Sequence, residues 1–184
     1  MSDITNNIQD DFLTRVRALA REVCEREECE LYHVEFVSGP NGRILRVYID
    51  RPQGDVSLEH CSQVSRGLNL LLDVEDIVPG GHYDLEVSSP GIERKLVESW
   101  HFERVLGQSV RIKLNKPATP GLIDGKLLKI DDTYLYIQIA NSSPGKVKQE
   151  NLIEKLVERA LVNKAHVRFE PEVPQPPKGK KRGK

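Results

Sequence analysis

A chain of 184 residues, 30% charged and 38% hydrophobic, has room for one domain or two small ones, and no apolar run approaches the roughly 18 residues that a membrane span needs. The net charge of −1 hides a division: residues 1–96 carry 10 Lys and Arg against 18 Asp and Glu, whereas residues 97–184 carry 17 against 10. An acidic half favours a basic protein surface, and a basic half favours nucleic acid.

The first stretch, MSDITNNIQDDF, is acidic and polar. It lacks the basic and apolar regions of a secretory signal, which leads us to expect a cytoplasmic protein. Ile8, Phe12, Val16, Leu19, Ala20 and Val23 recur at spacings of three and four, which predicts a helix from about Ile8 to Glu27. Leu31–Val37 and Ile44–Asp50 are rich in aromatic and β-branched residues and read as strands. Between them, Ser38-Gly39-Pro40-Asn41-Gly42 supplies the residues of a hairpin loop of about five residues. Ser57 is placed to cap a second helix ending near Asp73, with Leu58, Cys61, Val64, Ser65, Leu68, Leu71 and Leu72 as its inner stripe. Tyr83–Ser88 is a third strand. The order α-β-β-α-β predicts a sheet layered on helices.

That strand runs into Leu85-Glu86-Val87-Ser88-Ser89-Pro90-Gly91-Ile92-Glu93-Arg94. Pro90 restricts Ser89 to extended angles, and Gly91 permits a sharp reversal. The segment from about Gly91 to Phe102 reads as the joint between two domains. Ser88, Ser89, Pro90, Gly91, Arg94 and Lys95 are its candidate binding residues. A rigid corner with Arg94 paired to an acidic residue is the simplest role for it, and partner docking is compatible with that role.

Past Trp100 the strands become short and closely spaced: Ser109–Leu114, Leu122–Ile130, Thr133–Ala140 and Lys146–Gln149, with a turn at Asn141-Ser142-Ser143-Pro144-Gly145. This texture predicts a small barrel. Asn151–Leu161 carries Leu152, Leu156 and Leu161 and reads as a helix, followed by a last strand at His166–Phe169. From Glu170 the chain is Pro-rich and ends in KGKKRGK, a composition that predicts disorder.

Catalytic and metal motifs are missing from the sequence. Ser88 and Ser89 lack both a G-x-S-x-G elbow and a paired base. The five histidines form neither HExxH nor HxxxH, and Cys24, Cys29 and Cys61 form no CxxC pair. We therefore expect reduced thiols, no metal, no cofactor and no small-molecule substrate; the rival reading, a small-molecule enzyme, would need a pocket of converging polar groups. Gly39-Pro40-Asn41-Gly42 matches the G-x-x-G of a KH loop, but that loop joins two helices and this one joins two strands. The candidate RNA contacts are Arg111, Lys113, Lys116, Lys126, Lys129, Lys146 and Lys148 in the barrel half. Lys178, Lys180, Lys181, Arg182 and Lys184 add the tail, and Tyr134 and Tyr136 lie on one strand face as stacking candidates. An ordinary solvated barrel surface, with the tyrosines in its core, is the competing reading. The acidic docking candidates are Asp50, Asp73, Glu75 and Asp76.

Four segments in order resemble the bacterial ribosome maturation factor RimP family: Leu45-Arg46-Val47-Tyr48-Ile49-Asp50, Cys61-Ser62-Gln63-Val64-Ser65-Arg66, Leu72-Asp73-Val74-Glu75-Asp76-Ile77, and Tyr83-Asp84-Leu85-Glu86-Val87-Ser88-Ser89-Pro90-Gly91. The resemblance spans residues 8 to 96 and is looser beyond. It departs from the family at Lys95, where Pro is usual, and at His60, where Asp is frequent. It implies an α+β protein: an N-terminal two-layer α/β domain over 1–92 and an SH3-like (Sm-like) barrel over 93–170; the tail at 171–184 lies beyond the shared core. It implies a non-enzymatic factor for small (30S) ribosomal subunit assembly that binds the free subunit's rRNA and promotes incorporation of ribosomal protein uS12 near the decoding centre. We expect it to act as a monomer. A general RNA-binding protein acting through the barrel and tail is the alternative.

Overall fold

The computed structural model describes residues 2–40, 42–115, 121–140 and 152–169. The chain divides into two compact units, Met1–Gly91 and Ile92–Lys184.

In the first unit, helix α1 (Ser2–Arg26) buries Phe12, Val16, Ala20 and Val23 along one stripe. It ends where Glu28 turns left-handed at φ 54°. The Cys29 N–H then reaches back to the Cys24 carbonyl at 2.8 Å, satisfying an end group that the helix cannot satisfy itself. Strands β1 (Glu30–Gly39) and β2 (Gly42–Asp50) form an antiparallel hairpin. Their pairing continues to Gly39↔Gly42, so the connection is tighter than the five-residue loop expected. Helix α2 (Leu58–Glu75) carries the chain across to β3 (Asp84–Ser88), which lies parallel to β2. The sheet order is β1-β2-β3.

Inward-facing Leu45, Val47 and Ile49 of β2 join Val64, Leu68 and Leu72 of α2 and the α1 stripe in one core. Each such side chain contributes about 1.5–3 kcal/mol on burial. Gly67 lets the two helices approach, since a Cβ there would meet Val23 Cγ1 at 2.9 Å. On the opposite sheet face, Arg46 of β2 bonds Glu86 of β3 at 2.7 Å and lies 4.0 Å from Glu35 of β1. These three residues are register partners, so the row of alternating charge supports the alignment that the core requires.

The second unit begins with residues 94–96 laid along its last strand. Lys95 bridges His166, the Leu96 N–H donates to the Ala165 carbonyl at 2.8 Å, and the Val167 N–H donates to the Arg94 carbonyl at 3.0 Å. A short helix that the sequence did not announce, α3 (Ser99–Arg104), follows. Strands β4 (Ser109–Leu114), β5 (Leu122–Ile130), β6 (Tyr134–Ala140), β7 (Leu152–Glu158) and β8 (Val162–Val167) form an antiparallel sheet in the order β7-β6-β5-β4-β8. Val110, Ile112, Ile123, Leu127, Leu135, Ile137 and Val157 fill its core.

The expected helix over Asn151–Leu161 is instead β7 and a single 3₁₀ turn, Arg159–Leu161. Leu152 and Leu156 share a face at spacing four in a strand as well as in a helix. The ladder from Tyr134↔Glu158 to Ala140↔Leu152 decides for the strand, and Val157 is buried opposite Leu135. The last strand accordingly starts earlier than His166. The expected turn at Asn141–Gly145, the strand at Lys146–Gln149 and the tail at 171–184 lie outside the described residues.

Candidate functional site

The outer face of the second unit is built from strands whose alternate residues point away from the core. Across β8, β4 and β5 the register sets His166 beside Arg111 and Arg111 beside Asp124. One row along, Lys164 stands beside Lys113, and Lys113 beside Leu122. Ser109 pairs with Lys126. Lys113, Lys126 and Lys164 are all exposed.

Within this face the charges are unequal. Arg111 forks onto Asp124 with two bonds, 2.7 and 2.8 Å, and Arg168 approaches the same carboxylate at 3.6 Å. The bonds from Arg111 hold the Asp124 carboxyl below the usual carboxylate range and raise the guanidinium in turn. Arg111, expected to contact RNA, is thus already committed. Lys113 and Lys164 are direct cross-strand partners of like charge, an arrangement that costs stability. Among the described residues neither is paired with a carboxylate. A polyanion laid across the row would relieve that repulsion.

Lys126 and Lys129 would sit on opposite faces of a regular strand. A bulge in β5 between Leu127 and Lys129 puts one extra residue in their path, and both side chains become exposed. The Lys129 ammonium lies 5.0 Å from the centroid of the Tyr136 ring, a cation–π contact. Tyr134 and Tyr136 flank buried Leu135 and face outward rather than into the core: Tyr134 is 38% exposed, while Leu135 and Ile137 are 0% exposed. Tyr136 donates its hydroxyl to Asp131 at 2.8 Å. Asp131 also accepts from the N–H groups of Tyr134 and Thr133, at 2.7 and 2.9 Å. These backbone bonds first, then the Tyr136 bond, hold its carboxyl below the ordinary range.

Sequence reading missed Lys164 and Arg168, because the strand carrying Lys164 was placed too late. The alternation Val162, Lys164, His166 against Asn163, Ala165, Val167 gives only a weak strand signal. Lys116, Lys146, Lys148, Lys178, Lys180, Lys181, Arg182 and Lys184 fall outside the described residues.

The acidic candidates in the first unit separate into two kinds. Asp73, Glu75 and Asp76 are exposed at the C-terminal end of α2. Asp73 accepts from Asn69 at 3.1 Å, Glu75 meets Arg15 at 3.4 Å, and Asp76 closes the helix in a left-handed conformation at φ 45°. Three carboxylates at a helix C-terminus oppose the helix dipole. They are therefore better satisfied by an external cation than by their own helix. Asp50, by contrast, is buried at 9% exposure. As the last residue of β2 it does not belong to the docking surface.

At the other end of α2, Ser57 and His60 form a reciprocal cap. The Ser57 N–H donates to His60 Nδ1 at 3.0 Å, and the His60 N–H donates to Ser57 Oγ at 3.3 Å. His60 thus does what a Glu or Gln usually does at that position. In the junction, Ser88 and Ser89 are exposed and Gly91 adopts φ 72°, the reversal its sequence predicts. Arg94 is held through its backbone by Val167.

Residues 19–93 of the chain match the family model of the RimP N-terminal domain.

Proposed function

We propose that this chain, which through its N-terminal unit belongs to the RimP family of ribosome maturation factors, is a non-enzymatic factor for the small ribosomal subunit that binds the free subunit with both of its units. The acidic unit takes a basic ribosomal protein at Asp73, Glu75 and Asp76, and the family points to uS12 near the decoding centre. The second unit lays Lys113, Lys164, Lys126 and Lys129 on rRNA phosphate, with Tyr134 and Tyr136 beside them. The observation that carries this reading is the like-charge pair Lys113↔Lys164, which has no carboxylate partner among the described residues, on the outer face of one unit, with three exposed carboxylates clustered at the end of α2 on the other.

The second unit is best read as an SH3-like barrel. Inward residues from both terminal strands, Val157 of β7 and Val167 of β8, belong to one core, which supports a sheet curled on itself. The protein works in the cytoplasm as a monomer.

Sucrose-gradient sedimentation tests the function. The protein is expected with free small subunits and nearly absent from complete ribosomes. Equal distribution over small subunits and polysomes overturns a maturation role. Retention of small-subunit binding after neutralising Asp73, Glu75 and Asp76 together favours a general RNA binder acting through the basic face.

A further inference from the structure

The sheet of the first unit has two edges, and they are finished differently. The β1 edge is interrupted by a bulge between Leu31 and His33, a common device against pairing with other chains. The β3 edge has no such interruption. Its five residues, Asp84–Ser88, are in regular register with β2, and among the described residues no strand lies on its other side. A groove of about 500 Å³ runs beside it, lined by Cys61, Ser62 and Ser65 of α2 and by Leu85, Val87 and Ser88. The α2 side of this groove is made of small residues, so a backbone can come close.

We propose that the β3 edge accepts an extended, basic protein segment as a fourth strand of the sheet. The side-chain rows specify its pattern. Across the outer face the row Glu35, Arg46, Glu86 alternates in sign, and its continuation beside Glu86 calls for Lys or Arg. Asp84 is exposed on the same face and asks for the same. On the inner face the row Val34, Val47, Val87 is apolar, and Leu85 and Val87 are half-buried beside Ser62 and Ser65. A residue next to them must be apolar and of moderate size. The segment is therefore about five residues long and alternates basic with aliphatic side chains, its main chain supplying the affinity and the alternation supplying the register. This rests on the reading that the acidic unit binds a basic protein, and it names the strand and the form in which that protein arrives.

The test uses the full chain and a fluorescein-labelled peptide, Lys-Val-Arg-Val-Lys, followed by anisotropy. Two N-methylated isomers are compared, one methylated on both valines and the other on the arginine and the C-terminal lysine. The N–H groups of alternate strand residues point to opposite edges, so one isomer is expected to bind at least about tenfold more weakly, while the other stays within about threefold of the parent. Equal affinities for the two isomers overturn the proposal, because binding by charge alone does not distinguish them. Ser62→Trp fills the groove from an exposed helix position, and circular dichroism checks that the fold is kept. Unchanged peptide affinity in that folded variant also overturns the proposal. If the isomers are alike while neutralising Asp73, Glu75 and Asp76 still weakens small-subunit binding, the edge fails and the acidic docking surface stands. If neutralisation has no effect on small-subunit binding but the isomers differ, the edge stands and the docking surface fails.

Discussion

The two units solve the same packing problem with different materials. In the first, two helices cover one face of a three-stranded sheet, so its core is closed by side chains from elements of different type. In the second, five strands supply most of the core from their own inner faces, with α3 adding Phe102. A helix can shift along its neighbour to absorb a change of volume. A strand held in ladders on both sides cannot, because its position is fixed by backbone bonds. The contrast extends to the surface. The first unit presents carboxylates from a helix end, and the second presents lysines from strand rows whose spacing the ladder sets.

The two glycines at the closest approaches put this contrast to its largest test. A Cβ on Gly125 of β5 would lie 2.5 Å from the Gln138 carbonyl oxygen and 2.6 Å from Ile137 Cγ2. The first obstacle is backbone in a paired strand, so Gly125→Ala is expected to destabilise the protein by about 1–3 kcal/mol. The Cβ of Gly67→Ala would meet only the end of the Val23 side chain, at 2.9 Å. Ala gains about 1 kcal/mol over Gly within a helix, which offsets much of that clash. Denaturant titration should find the Gly67 variant less destabilised than the Gly125 variant. Equal losses in both variants would break the distinction between helix-covered and ladder-held packing.

The same contrast explains what could be read from the sequence. The helices of the first unit were legible because Phe12, Val16, Ala20 and Val23, and Val64, Leu68 and Leu72, repeat at helical spacing and are buried. Strand β4 was legible from alternation and β5 from the close spacing of short strands, and their predicted bounds match. β7 was misread because a spacing of four fits both periods, and only its partner β6 resolves the ambiguity. The candidate site was legible residue by residue but not as a surface. Whether Arg111 is available depends on Asp124, thirteen positions away and opposite only through register. The bulge that turns Lys126 and Lys129 to one side is likewise a property of pairing. Asp50 looked like any strand-end carboxylate, and its burial follows from the packing of the whole unit.

The lysine row offers a test of intermediate size with two readouts of opposite sign. If the row lies on rRNA as proposed, replacing Lys113 and Lys164 together by Gln removes two phosphate contacts, so affinity for single-stranded RNA at physiological salt should fall about tenfold, and the log–log salt slope should drop by about 1.4. The same double substitution removes a like-charge cross-strand pair and should raise stability by a few tenths of a kcal/mol, roughly the scale of such pairs. Arg111→Gln should leave the salt slope nearly unchanged, since that guanidinium is already held by Asp124. A slope that falls equally for Arg111 and for the lysines would mean that RNA displaces Asp124, and the division of the face into committed and available charges would be wrong.

The smallest expected effect concerns the turn between β5 and β6, where the second unit uses a carboxylate as the first unit uses the Ser57–His60 cap. Asp131 accepts from Thr133 N–H, Tyr134 N–H and the Tyr136 hydroxyl, and these bonds lower its carboxyl below the ordinary range. A carboxylate whose folded value is depressed contributes stability that is present above the unfolded value, about 3.9, and is lost as pH falls through the folded value. Asp131→Asn keeps an oxygen that can accept from the backbone but removes the charge that strengthens all three bonds. The variant should therefore be slightly less stable than the parent at pH 7. The gap should begin to close as pH drops below about 4 and vanish once both states of the parent are protonated. The burial of Tyr134 and Tyr136 should change little, because β6 is held by ladders on both sides. Urea midpoints of parent and variant from pH 7 down to about 2.5 read this directly. A gap that is constant over that range would show that Asp131 acts through shape alone, and that the turn does not draw on the charge that distinguishes it from the helix cap.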